Sequence, residues 1–153
     1  MATEPENQPP QLLAFVVCER VVLDEDIPIL WRIIDTFNFT LVVPDSVAQD
    51  MPKTIGFQLQ CEVFTRWGPP AEGAFTAELG LILPSGLESE HRQPQTFTMA
   101  GEFSFSHVIW KIEAGLSEAG IYAWVLYLDG EEVGRHPFRI NITRREQTPK
   151  DAQ

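Results

Sequence analysis

The chain has 153 residues, of which 44% are hydrophobic and 22% charged, and a formal net charge of −11 at pH 7. That length fits one domain, which buries roughly two-thirds of its unfolded surface without a disulfide or metal staple. The acidic balance opposes phosphate backbones and anionic lipid, and no apolar run is long enough to cross a bilayer as a helix, so neither nucleic acid nor a membrane is expected as a partner.

Residues 1–10 are polar and rich in proline, and read as a flexible arm. They lack the basic start and apolar core of a secretory signal, so cytoplasmic residence is expected. Leu12 to Leu23 is apolar and β-branched, interrupted at Cys18-Glu19-Arg20, and reads as a first strand. Asp24-Glu25-Asp26 makes a polar turn. Ile27 to Val43 reads as a second β region in which Phe37, Phe39 and Leu41 share a face. Pro44 to Pro52 is a loop, with one helical turn at residues 46–49. Ile55, Phe57, Leu59, Cys61, Val63 and Thr65 then alternate with more polar positions. After Gly68-Pro69-Pro70-Ala71-Glu72-Gly73 the chain returns through Phe75, Ala77, Leu79 and Leu81, so residues 53–83 are expected to form one long antiparallel hairpin.

Pro84 to Gln95 is polar and aperiodic, the longest interior loop. Between Thr96 and Ile112 the apolar parity switches from Phe97, Met99, Phe103 and Phe105 to Val108, Trp110 and Ile112, which predicts a bulge or turn near Ser106. Residues 120–142 read as a closing hairpin around Asp129-Gly130. The domain therefore runs over 11–143, with a polar, flexible tail at 144–153.

Within that hairpin, Glu118, Gly120 and Tyr122 are spaced as in a tyrosine corner. With so many short strands and no credible long helix, the fold class expected is all-β: an immunoglobulin-like antiparallel β-sandwich of about seven or eight strands. Trp124 stands where an antibody domain carries its second core cysteine. Cys18 and Cys61 therefore read as buried, reduced strand residues. Three stretches extend the likeness. They are Phe15-Val16-Val17-Cys18-Glu19, Pro84-Ser85-Gly86, and the run from Gly120-Ile121-Tyr122 through Asp129-Gly130 to Pro137-Phe138-Arg139-Ile140. On these, the stretch from Ala14 to Ile140 resembles a family of small bacterial all-β proteins of unknown function. The resemblance implies a β-sandwich in a bacterial cytosol and no catalytic residues.

The residues themselves point to no chemistry. His91, His107 and His136 do not pair at ligand spacing, and His107 reads as a half-buried strand residue. Ser85 lacks the flanking glycine of a nucleophile elbow. Asp24, Glu25 and Asp26 with Asp45 and Asp50 could gather at one end of a sandwich, but their spacing matches no calcium loop. No metal, cofactor or enzymatic activity is expected.

What remains is recognition through loops or sheet edges. The candidate partner surface is Trp67, Pro69 and Pro70 at one loop, His91 and Arg92 in the 84–95 loop, and Arg139 on an outer strand. Trp67 is the best candidate for an exposed aromatic; its other reading is a lid over the sandwich end. Trp110 and Trp124 read as core. The function expected is a non-enzymatic protein-interaction or scaffolding module, with self-association through an open edge as one outcome. The alternative is a small-ligand sandwich, for instance one that stacks a sugar on an exposed tryptophan.

Overall fold

The structure is a computed structural model that describes residues 8–44, 56–90 and 92–147. The helical turn expected at 46–49, Asp45, Asp50 and His91 lie outside the described residues. The described chain is all-β, with nine strands: β1 (Gln11–Asp24), β2 (Ile27–Ile33), β3 (Thr36–Pro44), β4 (Phe57–Gly68), β5 (Glu72–Ile82), β6 (Gln93–Ala100), β7 (Ser106–Leu116), β8 (Gly120–Leu128) and β9 (Glu131–Gln147). They form two sheets, ordered β2-β1-β4-β7 and β3-β9-β8-β5-β6.

The core lies between these sheets and follows the period of two along each strand. In β4, Leu59, Cys61, Val63, Thr65 and Trp67 point inward, meeting Val108, Trp110 and Ile112 of β7 on the same face. The second sheet contributes Ala77, Leu79 and Leu81 from β5, Tyr122, Trp124, Leu126 and Leu128 from β8, and Phe138 and Ile140 from β9. Phe138 is stacked on both Tyr122 and Trp124, each pair of ring centroids 5.4 Å apart. Trp110 and Trp124 are core residues, as their strand parity predicts.

Several expected boundaries move because the chain changes sheets where a single strand or hairpin was expected. The second β region breaks between Ile33 and Thr36: β2 pairs with β1 in one sheet, whereas β3 pairs with β9 in the other. The β3–β9 pairing is parallel, so the second sheet is mixed rather than antiparallel. Residues 53–83 do not form a hairpin. β4 lies between β1 and β7, β5 lies between β8 and β6, and a cis Pro69-Pro70 peptide sits in the crossover. The parity switch near Ser106 is likewise a crossing, from β6 in one sheet to β7 in the other, through a turn at 101–105. Beyond residue 143 the chain remains strand, with β9 paired to β3 as far as Gln147. At the other end, Pro10 is buried.

The closing hairpin forms as its residues dictate. Asp129 and Gly130 both take positive φ, the mirror-image turn that matches strand twist. Thr76 N–H donates to Asp129 Oδ1 at 3.0 Å and Asp129 N–H donates to Thr76 O at 2.9 Å, tying that turn to β5. The Tyr122 hydroxyl donates to Glu118 O at 2.7 Å, the bond that defines a tyrosine corner. Tyr122→Phe removes this donor and leaves the carbonyl unpaired. It is expected to cost about 1 kcal/mol, read as a fall in melting temperature of about 2–4 °C. An unchanged melting temperature would show that the corner contributes nothing to stability.

One side of the two-sheet stack is closed by polar side chains rather than by strand pairing. Gln95 Nε2 donates to Ile109 O at 2.6 Å, Ser106 Oγ to Thr98 O at 2.7 Å and Trp110 Nε1 to Gln93 O at 3.0 Å, which ties β6 to β7. Neither of those strands therefore presents a bare edge along this stretch.

Candidate functional site

Part of the outer face of the first sheet is covered, and what covers it creates the site. Cys18, Glu62 and Phe64 point away from the core, yet all are buried. The β1–β2 ladder keeps one register throughout, but Glu19 and Arg32 drop out of the pairing, and Arg32 takes a positive φ of 51° there. Both strands bend together at that point. Beyond the bend the hairpin doubles back: Val21 N–H donates to Glu62 Oε2 at 2.9 Å, and Leu23 and Asp26 lie beside Arg66 and His107. The hairpin is a flap on the first sheet, fastened by a buried carboxylate. Its tip is Glu25-Asp26, both with positive φ, a two-residue mirror-image turn.

A two-residue turn makes Asp24 and Ile27 the closing hydrogen-bonded pair. Alternate residues of β2, Pro28 and Leu30, then turn their backbone to the open edge. Pro28 has no N–H to offer, the usual device of an edge strand. Side chains alternate in step. Val21, Leu23, Pro28 and Leu30 share the face turned to the sheet, with Leu23, near the tip, still 52% exposed. Ile27, Ile29 and Trp31 share the face turned to solvent, where they are 63%, 42% and 53% exposed. Ile33, just past the bend, is exposed as well. Val22 stands opposite Ile29, and the Arg20 guanidinium lies 5.9 Å from the centre of the Trp31 ring. The result is an apolar stripe with acid at its tip (Asp24, Glu25, Asp26) and Glu19 beside Arg32 at its base.

The expected surface residues fall elsewhere. Trp67 is fully buried: its ring stacks on Phe97 at 5.2 Å, and its Nε1–H donates to Thr65 Oγ1 at 2.9 Å, which in turn donates to Val108 O. It is a core residue and cannot anchor a partner, because β4 alternation points it inward with Leu59 and Val63. Pro69 and Pro70 form the crossover beside it, Pro70 exposed and Pro69 half-buried.

Arg92 is exposed but occupied. Its guanidinium lies 3.6 Å from the Tyr127 ring centre and pairs with Glu88 at 3.0 Å, while the Tyr127 hydroxyl donates to the same carboxylate. This clamp pins Glu88 and Arg92 onto the second sheet. Gly80 makes room for it, since a Cβ there would stand 2.6 Å from Glu88 Oε1. The clamp holds the Glu88 carboxyl below its ordinary value, chiefly through the Arg92 hydrogen bond. Arg139 is exposed but lies on β9, which has β3 on one side and β8 on the other; its N–H donates to Asp35 O. It is not on an outer strand.

The cysteines are buried and unbridged. Cys18 Sγ–H donates to Glu62 O at 3.7 Å. Burial first, then the neighbouring Cys18 and Glu62 charges, push the Cys61 thiol up to about 12; burial and then Glu62 raise Cys18 in the same direction. A thiol so placed is not a nucleophile at neutral pH. Neither cysteine is expected to react with a disulfide reagent in the native protein at pH 8, and both should react in denaturant. Prompt labelling of folded protein would refute this burial.

Among the described residues no group of three or more His, Cys, Asp or Glu could hold a metal, and no helix is long and apolar enough to cross a membrane. No family model and no curated protein matches the chain. Among solved structures it is similar to a β-glucosidase from Listeria innocua in complex with isofagomine and with glucose. The TM-score is 0.46 in each case, at 7% and 8% identity, over 89% of this chain and 17% of that one. It is also similar to the Pseudomonas fluorescens alkylpurine DNA glycosylase AlkC bound to DNA containing an abasic site analog. There the TM-score is 0.38 at 10% identity, over 83% of this chain and 30% of that one. The chain thus spans less than a third of the length of each, and likeness at this level does not transfer chemistry.

Proposed function

We propose that this protein is a non-enzymatic interaction module that docks an extended, apolar segment of a partner protein against the outward face of the β1–β2 hairpin. One observation carries the reading: Ile27, Ile29 and Trp31 form an uncovered apolar stripe on one face of an edge strand. Single exposed apolar residues are ordinary, but a contiguous stripe on an edge is the form of a recognition surface. Only one donor, Leu30 N–H, faces the open edge between the turn and the bend, so side-chain packing dominates and strand pairing adds to it. The partner's chemistry follows from charge. Asp24, Glu25 and Asp26 at the tip, on a chain of net charge −11, favour apolar alternation with a basic end and disfavour a second copy of this chain.

The immunoglobulin-like assignment belongs to the same reading. It is supported by a tyrosine corner on β8, by Trp124 two residues later, and by a first region that crosses from β1 to a β3 parallel to the last strand. On this view the 19–33 hairpin is an insertion that carries the function. Cytoplasmic residence is supported by two buried, unbridged thiols.

Selection from a library of extended peptides tests the function. The expected binders alternate apolar residues and carry Lys or Arg at one end, and lose affinity for Trp31→Lys. Binders insensitive to Trp31→Lys would overturn the reading. A dimer that Trp31→Lys dissolves, seen by sedimentation velocity, would make the partner a second copy.

A second reading has its own observation. Glu19, Arg20 and Arg32 surround Trp31 in an open hollow of about 460 Å³, which is what a sugar platform needs. Arg20 over the ring opposes it, because a sugar would have to displace the guanidinium. Saturable quenching of Trp31 fluorescence by a monosaccharide would favour this alternative.

A further inference from the structure

A cleft lies between the tip of the hairpin and the outer end of β4 and β7, on the opposite side of the flap from the apolar stripe. Its volume is about 630 Å³, within the range of about 300–1,000 Å³ typical of small-molecule sites. Three kinds of group line it. Arg66 and His107, partners across the β4–β7 ladder, supply donors at one wall. Asp26 supplies a carboxylate from the hairpin turn. Leu23 and Phe105 supply apolar surface, with the largely buried Phe97 behind them.

The Arg66 side chain is the reason to look here. Its guanidinium is 4.7 Å from the centre of the Phe105 ring, and no carboxylate among the described residues pairs with it. An arginine fork held by an aromatic face and left without an acid is unusual on a chain with 22 acidic and 11 basic residues. Arg66 Nε and His107 Nε2 are both buried without a hydrogen-bond partner. Unmet buried polar atoms are costly, so each calls for a cause. Burial first, then the nearby Arg66 charge, lowers the histidine's basicity, while Asp26 acts the other way. The fixed cation of this wall is Arg66.

We propose that this cleft binds a small zwitterion with an apolar body, of the amino-acid class. The carboxylate pairs with the Arg66 fork beside His107, the ammonium faces Asp26, and the apolar body lies against Leu23 and Phe105. A simple anion would leave Asp26 opposed to it, and a simple cation would leave Arg66 opposed to it. A molecule carrying both charges a few ångströms apart satisfies both.

Amide shift mapping by NMR tests this with three probes: phenylalanine, N-acetylphenylalanine, which lacks the ammonium, and phenylalanine amide, which lacks the carboxylate. Phenylalanine is expected to saturate and to move the amides of Asp26, Arg66 and His107. Each single-charge probe should bind about tenfold more weakly, the loss of one charge-assisted hydrogen bond. Arg66→Gln should abolish the difference between phenylalanine and its amide, and Asp26→Asn the difference between phenylalanine and its N-acetyl form. Absence of saturation up to the solubility limit, or shifts scattered away from these residues in the unaltered protein, would overturn the proposal. Because Ile29→Lys lies on the other face of the flap, it should leave these shifts intact, so failure here and failure of the docking reading are separable.

Discussion

Trp67→Ala is expected to destabilise the whole domain by about 3–5 kcal/mol, the range for removing a large buried aromatic, and to lower the melting temperature by on the order of 10 °C. The ring is fully buried and stacked on Phe97. Truncation also strips Thr65 Oγ1 of its donor, within a buried chain that ends on Val108 O. Trp67→Phe should cost less, since an aromatic face remains for Phe97, although the N–H and part of the buried ring volume are lost. The measurement is denaturant unfolding of the three proteins. A Trp67→Ala protein as stable as the unaltered one, but defective in binding, would restore Trp67 as a surface anchor and would contradict the inward parity of β4.

Introducing charge on the stripe is expected to do the opposite. Ile29→Lys and Trp31→Lys place an ammonium on the solvent face of β2, where Ile29 and Trp31 are 42% and 53% exposed. Stability should change by no more than about 0.5 kcal/mol, as for other surface substitutions. Binding of a selected peptide should weaken by about 2 kcal/mol or more for each, roughly 30-fold. Isothermal titration and thermal melts on the same samples separate the two effects. If either variant unfolds instead, the stripe is packed against something within the molecule, and the docking surface does not exist.

The contrast between these tryptophans shows how far the sequence could be read. Strand existence was legible almost everywhere, because β4, β5 and β8 alternate cleanly and Asp129-Gly130 marks its own turn. The corner at Tyr122 was legible because its chemistry is local: a hydroxyl reaching a carbonyl at Glu118, four residues back. Sheet membership was not. Nothing in the 68–73 segment distinguishes a hairpin from a crossover, since both need a polar, proline-rich break; only the partners of β4 and β5, far along the chain, decide it.

The candidate site was missed for a related reason. Residues 27–33 are apolar at both parities, with Pro28 and Leu30 on one face and Ile27, Ile29 and Trp31 on the other. That reads as a strand buried on both sides. Pro28 was the one local hint of an edge. The cleft at Arg66 was out of reach altogether, because it joins Asp26, Arg66 and His107 through a hairpin that folds back on Glu62.

Tryptophan fluorescence gives the most direct test of the docking surface. Three of the four indoles, Trp67, Trp110 and Trp124, are buried, and Trp31 alone is exposed. In the free protein acrylamide should quench one emitter only, and Trp31→Phe should remove it. Saturation with a selected peptide should shift that emission to the blue and shield it from acrylamide. A peptide that binds while Trp31 stays red-shifted and quenchable would place recognition elsewhere and contradict the account.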